Sequence, residues 1–252
     1  MLAITTTISA LFERLNPHAR GVIHERTVAW GTNCIHSPPP LASAALHEWF
    51  AAPSHTNDAP DTPGHMHPAR ADDLALPPLS VLISIARLAR TPERTRIIWI
   101  GRACWPYPPA IADLLADSLF VDPPTDAERL WTIDLALRCR AVAAVIADGR
   151  RLPMPATRRL QLAAAAGDTP CLLVRPPGEL RELSAARTRW RISPDPHTPH
   201  TPSTPSTPAD PSWTIHLLRC KGLRPNPGAA RAWRARIDHE KGALHLVPLP
   251  GF

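Results

Sequence analysis

The chain has 252 residues, 44% of them hydrophobic, which is enough to bury one sizeable α/β core. Its 28 basic residues outnumber 22 acidic ones, but all except Lys221 and Lys241 are arginine, so the net charge of +6 leaves nucleic-acid binding open without establishing it. Five widely spread cysteines (Cys34, Cys104, Cys139, Cys171 and Cys220) form no CxxC pair, which speaks against a disulfide framework or a ribbon-type zinc site. No stretch approaches the length of a membrane span and no signal-like segment opens the chain, so a soluble, cytoplasmic protein is expected.

In chain order, Ile8, Leu11, Phe12 and Leu15 fall at helical spacing before Asn16-Pro17 stops the helix, which gives residues 1–40 the character of an arm carrying a small amphipathic helix. A main domain over 41–252 is expected, beginning with the short apolar segment ALHEWF. Residues 51–78 are rich in Pro, Asp and His without apolar period and read as an irregular loop. LSVLISIARLAR then has helical period and RIIWIG is a short strand. PPAIADLLADS reads as helix after its prolines, and SLFVD as strand. TDAERLWTIDLALRC is helical, AVAAVIAD is a buried strand, PATRRLQLAAAAG is a helix ended by Gly167, and TPCLLVR is a strand. Short, nearly continuous apolar strands alternating with helices predict a mainly parallel, doubly wound sheet covered on both faces.

RTRWRIS, SWTIHLLRC, RAWRARID and ALHLVPL alternate apolar and polar residues and read as antiparallel strands at the C-terminal edge. The Pro/Thr/Ser-rich tract over 193–212 cannot build a core and reads as a flexible insertion. His47, His55, His65 and His67, with Cys34 and His36 upstream, follow no metal-finger spacing, so no metal is expected. Trp49, Trp99, Trp131 and Trp190 fall in periodic segments and read as packing residues, whereas Trp233, among arginines, suits either core or base stacking.

These landmarks resemble the central sheet of the RecA family, and most of all its shortened bacterial relatives, the ImuA proteins of damage-induced mutagenesis. ALHEWF is similar to the strand that leads into the phosphate-binding loop, LSVLISIARLAR to the helix that leaves it, and AVAAVIADGR to the Walker B strand, with Asp148 at its carboxyl end. ELSAARTRWRIS is similar to the ImuA-type return strand. The resemblance implies a RecA-like fold, but the phosphate loop is degenerate. AAPSHTNDAPDTPG offers no ordered glycines, no lysine and prolines where backbone donors are needed. Ala103 stands where the family places its catalytic carboxylate. Asp148 is then either a good turn former or a vestigial magnesium ligand. No catalytic residue, no nucleotide cofactor and no ATP hydrolysis are expected.

What the resemblance implies instead is an accessory of the SOS response, supporting translesion synthesis through a Y-family-like polymerase partner (ImuB-like), RecA, or both. Ile8, Leu11, Phe12 and Leu15 are the candidate partner-binding residues, because RecA relatives dock on a neighbouring subunit through an N-terminal helix. Candidate contacts to single-stranded DNA are Arg150, Arg151, Arg175 and Arg181 near the carboxyl edge of the sheet, and Arg231, Arg234 and Arg236 in the tail. A nucleotide-dependent ATPase with an unorthodox phosphate loop and a SulA-like division inhibitor are the alternatives.

Overall fold

A computed structural model describes residues 26–30, 37–52, 79–195, 212–222, 231–238 and 243–249. Two short strands, β1 (Thr27–Val28) and β2 (Leu41–Ala42), pair antiparallel in a small sheet of their own. The main sheet has nine strands, of which β3 (Leu46–Ala51), β4 (Arg96–Ile100), β5 (Ser118–Val121), β6 (Val142–Asp148), β7 (Cys171–Arg175) and β8 (Thr188–Pro194) run parallel. The other three, β9 (Ser212–Cys220), β10 (Ala232–Ile237) and β11 (Leu244–Pro248), extend it antiparallel beyond β8. The spatial order is β11-β10-β9-β8-β3-β7-β6-β4-β5.

Three α-helices accompany the sheet: α1 (Leu79–Ala89), α2 (Asp126–Leu137) and α3 (Met154–Gly167). The start of α2 is fixed by a capping box in which Thr125 accepts from the Glu128 backbone while the Glu128 side chain accepts from the Thr125 backbone. On one face of the sheet α1 buries Val81, Leu82, Ile85 and Ala86 beside Trp99, Ile146 and Val174. On the other, α2 and α3 bury Ile133, Leu137 and Leu160 beside Ile98, Val145 and Leu173. The α/β pattern expected from the sequence is therefore present, with helices on both faces and the antiparallel strands at the C-terminal edge. RTRWRIS plays a double part, because β8 pairs parallel with β3 and antiparallel with β9, so the sheet changes direction there.

Four tryptophans make up much of the α1-side core. Trp49 stacks on Trp190 at 5.4 Å between ring centroids, Trp30 meets both edge-on at 5.5 and 4.9 Å, and Trp233 tilts against Trp190 at 6.1 Å. Trp233 is thus core rather than a stacking surface, and Trp30, in the segment read as an arm, belongs to this core. Each such pair adds about 0.5–1.5 kcal/mol beyond the area it buries.

Three local expectations differ from the structure. Trp131 is 57% exposed, because Ile133 and Leu137 turn toward the sheet and a residue two positions before Ile133 points to the opposite side of α2. The PPAIADLLADS segment forms two 3₁₀ turns, over Pro108–Ile111 and Leu115–Asp117, instead of an α-helix. Its prolines remove backbone donors, and Arg87 and Arg96 hold the carbonyls of Ala110 and Ala116. Gly167 is the last residue of α3, not the residue that stops it: Asp168 takes the left-handed conformation, at φ 50°, that ends the helix. A Cβ on Gly167 would stand 1.9 Å from the Leu137 carbonyl oxygen, so this glycine lets the ends of α2 and α3 touch.

His47, on β3, is fully buried. Its Nε2 donates to the Ala42 carbonyl at 2.9 Å, and its Nδ1 accepts from the Thr188 hydroxyl at 2.8 Å. Burial lowers its pKa from 6.5 to about 4, so the folded protein holds the ring neutral. Between these values the unfolded chain takes up a proton that the folded one refuses, so stability present above pH 6.5 is lost as pH falls toward 4. Urea unfolding should show a loss of about 3 kcal/mol across that window, and His47→Gln should flatten it. An unchanged slope in the variant would show that another group is responsible.

Candidate functional site

The carboxyl ends of β3, β4, β6 and β7 lie side by side, at the edge where open α/β sheets ordinarily bind ligands. β6 ends on Asp148, which is 2% exposed. Its neighbour across the strand ends is Gly101, whose φ of 88° and missing side chain allow the close approach, since a Cβ there would lie 2.8 Å from the Asp148 Cβ.

Both carboxylate oxygens of Asp148 are taken. Arg150 donates from its backbone N–H and its Nε to Oδ1 at 3.0 Å, and from Nη2 to Oδ2 at 2.6 Å. Arg129, largely buried, stands on the other side with Nη1 3.7 Å from Oδ2, and its Nη2 donates to the Arg150 carbonyl at 2.7 Å. The hydrogen bonds that Arg150 donates to the Asp148 carboxylate hold its guanidinium above its usual range. Beneath them lies Cys104, whose thiol burial, and then the Asp148 charge, push well above the normal thiol range, so it is an inert packing group.

A second buried group lies beside the first. Glu48, in the middle of β3 and fully buried, accepts from Arg175 Nη1 at 2.7 Å, from the Ser184 hydroxyl at 2.6 Å and from Arg189 Nε at 2.8 Å. Arg175 also donates to Glu179 Oε2 at 2.9 and 2.7 Å and to the Leu152 carbonyl at 3.4 Å. Arg189 and Arg175 lie 4.8 and 5.9 Å from the ring of Phe50 on β3. Glu179 joins the two groups by accepting from the Arg151 backbone N–H at 2.8 Å.

The candidate residues therefore divide. Arg150, Arg151 and Arg175 do meet at the carboxyl edge, but Arg150 is bound to Asp148 and Arg175 is 1% exposed, which withdraws Arg175 from any surface contact. Arg151 is exposed, at φ 59°, and pairs with Asp126 at 3.2 Å. Arg181 is exposed in the turn after Pro177–Glu179. Arg231, Arg234 and Arg236 stand four strands from β7, at and on β10. Arg234 pairs there with Asp195 at 2.6 Å, while Arg231 and Arg236 are exposed. Ala103 lies in the short 3₁₀ turn after β4. Ile8, Leu11, Phe12, Leu15 and the segment over 53–78 lie outside the described residues, as do Cys34, His36, His55, His65 and His67.

Sequence reading misses Arg129, Glu48, Glu179 and Arg189. The available signal was Glu48 itself, a charge within the apolar run LHEWFA, which demands a buried cation that periodicity does not name.

No family model matches the chain. It is 29% identical over 176 residues, covering 65% of this chain and 71% of the relative, to the protein named Protein ImuA in two strains of Caulobacter vibrioides. That similarity supports an ImuA-like chain. Among the described residues no helix is long and apolar enough to cross a membrane.

Removing one partner from the Glu48 group strands the others. Glu48→Ala should cost about 3–5 kcal/mol in urea unfolding by leaving the Arg175 charge buried and uncompensated, and pairing it with Arg175→Met should return part of that loss. A single-variant cost below about 1 kcal/mol would mean that the group is hydrated in solution.

Proposed function

We propose that this chain is a non-catalytic, RecA-like accessory of the DNA-damage response, ImuA-like in kind, which supports error-prone translesion synthesis by contact with a Y-family-like polymerase, with RecA, or with both. The observation that carries this reading is the 29% identity to Protein ImuA over 176 residues. The order of strands and helices supports it, since the segments that resemble the RecA-type sheet are those that form β3, α1, β4, β6 and β8.

The absence of nucleotide chemistry rests on the loss of a phosphate cradle in the sequence after β3 and on the state of Asp148. A carboxylate that holds magnesium must turn an oxygen toward the ion, and here Arg150 and Arg129 surround both. Two guanidinium groups also place positive charge where a cation would sit, which disfavours it by direct repulsion. The same edge that binds nucleotide in active relatives serves in this chain as a closed structural joint.

A non-hydrolysable ATP analogue with magnesium should leave the melting temperature unchanged. Ligand at 100 times its Kd would add about 2.7 kcal/mol, equivalent to roughly 5–10 °C for a domain of this size. A shift of that size, abolished by Asp148→Ala, would establish the ATPase alternative.

The partner contact is read by pull-down. Leu11→Ala with Phe12→Ala should cut recovery of a tagged Y-family-like translesion polymerase at least about ten-fold, the equivalent of ~1.4 kcal/mol. Equal recovery by wild type and variant would remove the N-terminal segment from the contact.

A further inference from the structure

The antiparallel extension has one face in the core; on the other, Arg236 is exposed and Arg191 half-buried, while Ser212, Thr214 and Asp195 are buried. Trp190, Ile192, Ile215, Trp233, Ala235 and Leu246 point toward the α1 side and are buried. On the opposite side α3 packs against β3, and α2 against β6 and β4. Among the described residues no helix lies over β8, β9, β10 or β11 there.

Alternation along the strands decides what this open face carries. Arg189 and Arg191 of β8 point to it, opposite Arg219 and His216 of β9, and Arg234 and Arg236 of β10 follow in register. Lys221, at the end of β9, reaches the Ala185 carbonyl at 2.7 Å, next to the first turn of α3, where Thr157 accepts from the Ala185 N–H and Arg158 is exposed. The cations are close enough to act on one another: burial, then Arg219 and Arg158, lower the Lys221 pKa, and burial, then Arg191, lower that of His216.

The carboxylates on this side are already used. Glu48 is buried under Arg175 and Arg189, Asp195 is held by Arg234, and Asp238, just past β10, has a partner of its own. Arg158, Arg191, Arg219, Lys221 and Arg236 pair with no carboxylate among the described residues. The face is therefore a basic strip running from the start of α3 across β8 and β9 to β10.

We propose that this strip binds the phosphodiester backbone of nucleic acid, deepening the accessory reading above by giving it a direct DNA contact on the sheet face instead of the carboxyl edge. Alternate residues of a strand stand about 6.8 Å apart and neighbouring strands about 4.8 Å, so the cations form a grid that a polyanionic chain crosses with repeated contacts. No exposed aromatic side chain stands on this face among the described residues, so bases are not stacked and binding is independent of sequence. An acidic protein is the poorer match, because protein interfaces centre on buried apolar or aromatic anchors, and across these strands the exposed large apolar side chain is Val247 alone among the described residues.

Fluorescence anisotropy of the full chain with a labelled mixed-sequence oligonucleotide, single-stranded in one arm and duplex in the other, tests this between about 50 and 200 mM salt. Binding should weaken steeply with salt, and the arm with the tighter binding identifies the form of nucleic acid preferred. Arg191→Ala with Arg236→Ala should weaken it about ten-fold and reduce the slope of log K against log salt by about 1.4 on single strands or 1.8 on duplex. Arg191→Lys with Arg236→Lys should restore most of the affinity, because a phosphate contact needs the charge and a merely structural role would not be rescued. Arg151→Ala, at the carboxyl edge, should change nothing. Absence of salt-dependent binding, or a loss caused by Arg151→Ala and not by the Arg191/Arg236 pair, overturns the proposal. Polymerase capture by the same Arg191/Arg236 variant reports separately on the accessory reading.

Discussion

A glutamate with no solvent contact sits in the middle of the strand at the centre of this sheet, and much of the surrounding structure follows from neutralising it. Glu48 brings in Arg175 from β7, Arg189 from β8 and the Ser184 hydroxyl from the connection between them. The contacts to Arg175 and Arg189 each cross between strands that are adjacent in space and more than a hundred residues apart in sequence, so the ion group acts as a register pin for the parallel strands. Such a group is a poor source of net stability, because desolvation offsets most of its attraction, yet it penalises any packing that separates its members.

The second joint, around Asp148, has the same logic with a different outcome. An aspartate at the end of a buried strand, over a thiol and beside a glycine, is well placed to meet a ligand. Here the chain meets it with its own arginines two residues on and in α2. Arginine suits this work better than lysine because its planar fork satisfies both oxygens of a carboxylate at once.

The arginine excess therefore splits into two populations. One is bound to carboxylates, inward at Glu48, Asp148 and Glu179 and at the surface at Asp134. Around Asp134, burial raises the carboxyl pKa, but the bonds from Arg138 and Arg159 outweigh it and hold the group below its usual range. The other population lies on the outer side of β8 to β10, where Arg191, Arg219 and Arg236 pair with no carboxylate among the described residues.

The alternation of short apolar strands with helices was legible in the sequence because side-chain period follows directly from local geometry, and TDAERLWTIDLAL, AVAAVIAD and TPCLLVR lie where their patterns place them. The antiparallel edge and the core tendency of the tryptophans were legible for the same reason. Local pattern does not say which way a helix rotates or which face of a strand is covered, so Trp131 on α2 faces outward and Trp233 on β10 inward. It also does not say which carboxylate an arginine will meet. Arg175 and Arg236 look alike along the chain, and only the pairing of strands distant in sequence assigns the first to a buried acid and leaves the second exposed on β10. Charge acts through space with no period, so its partners are decided by the tertiary fold.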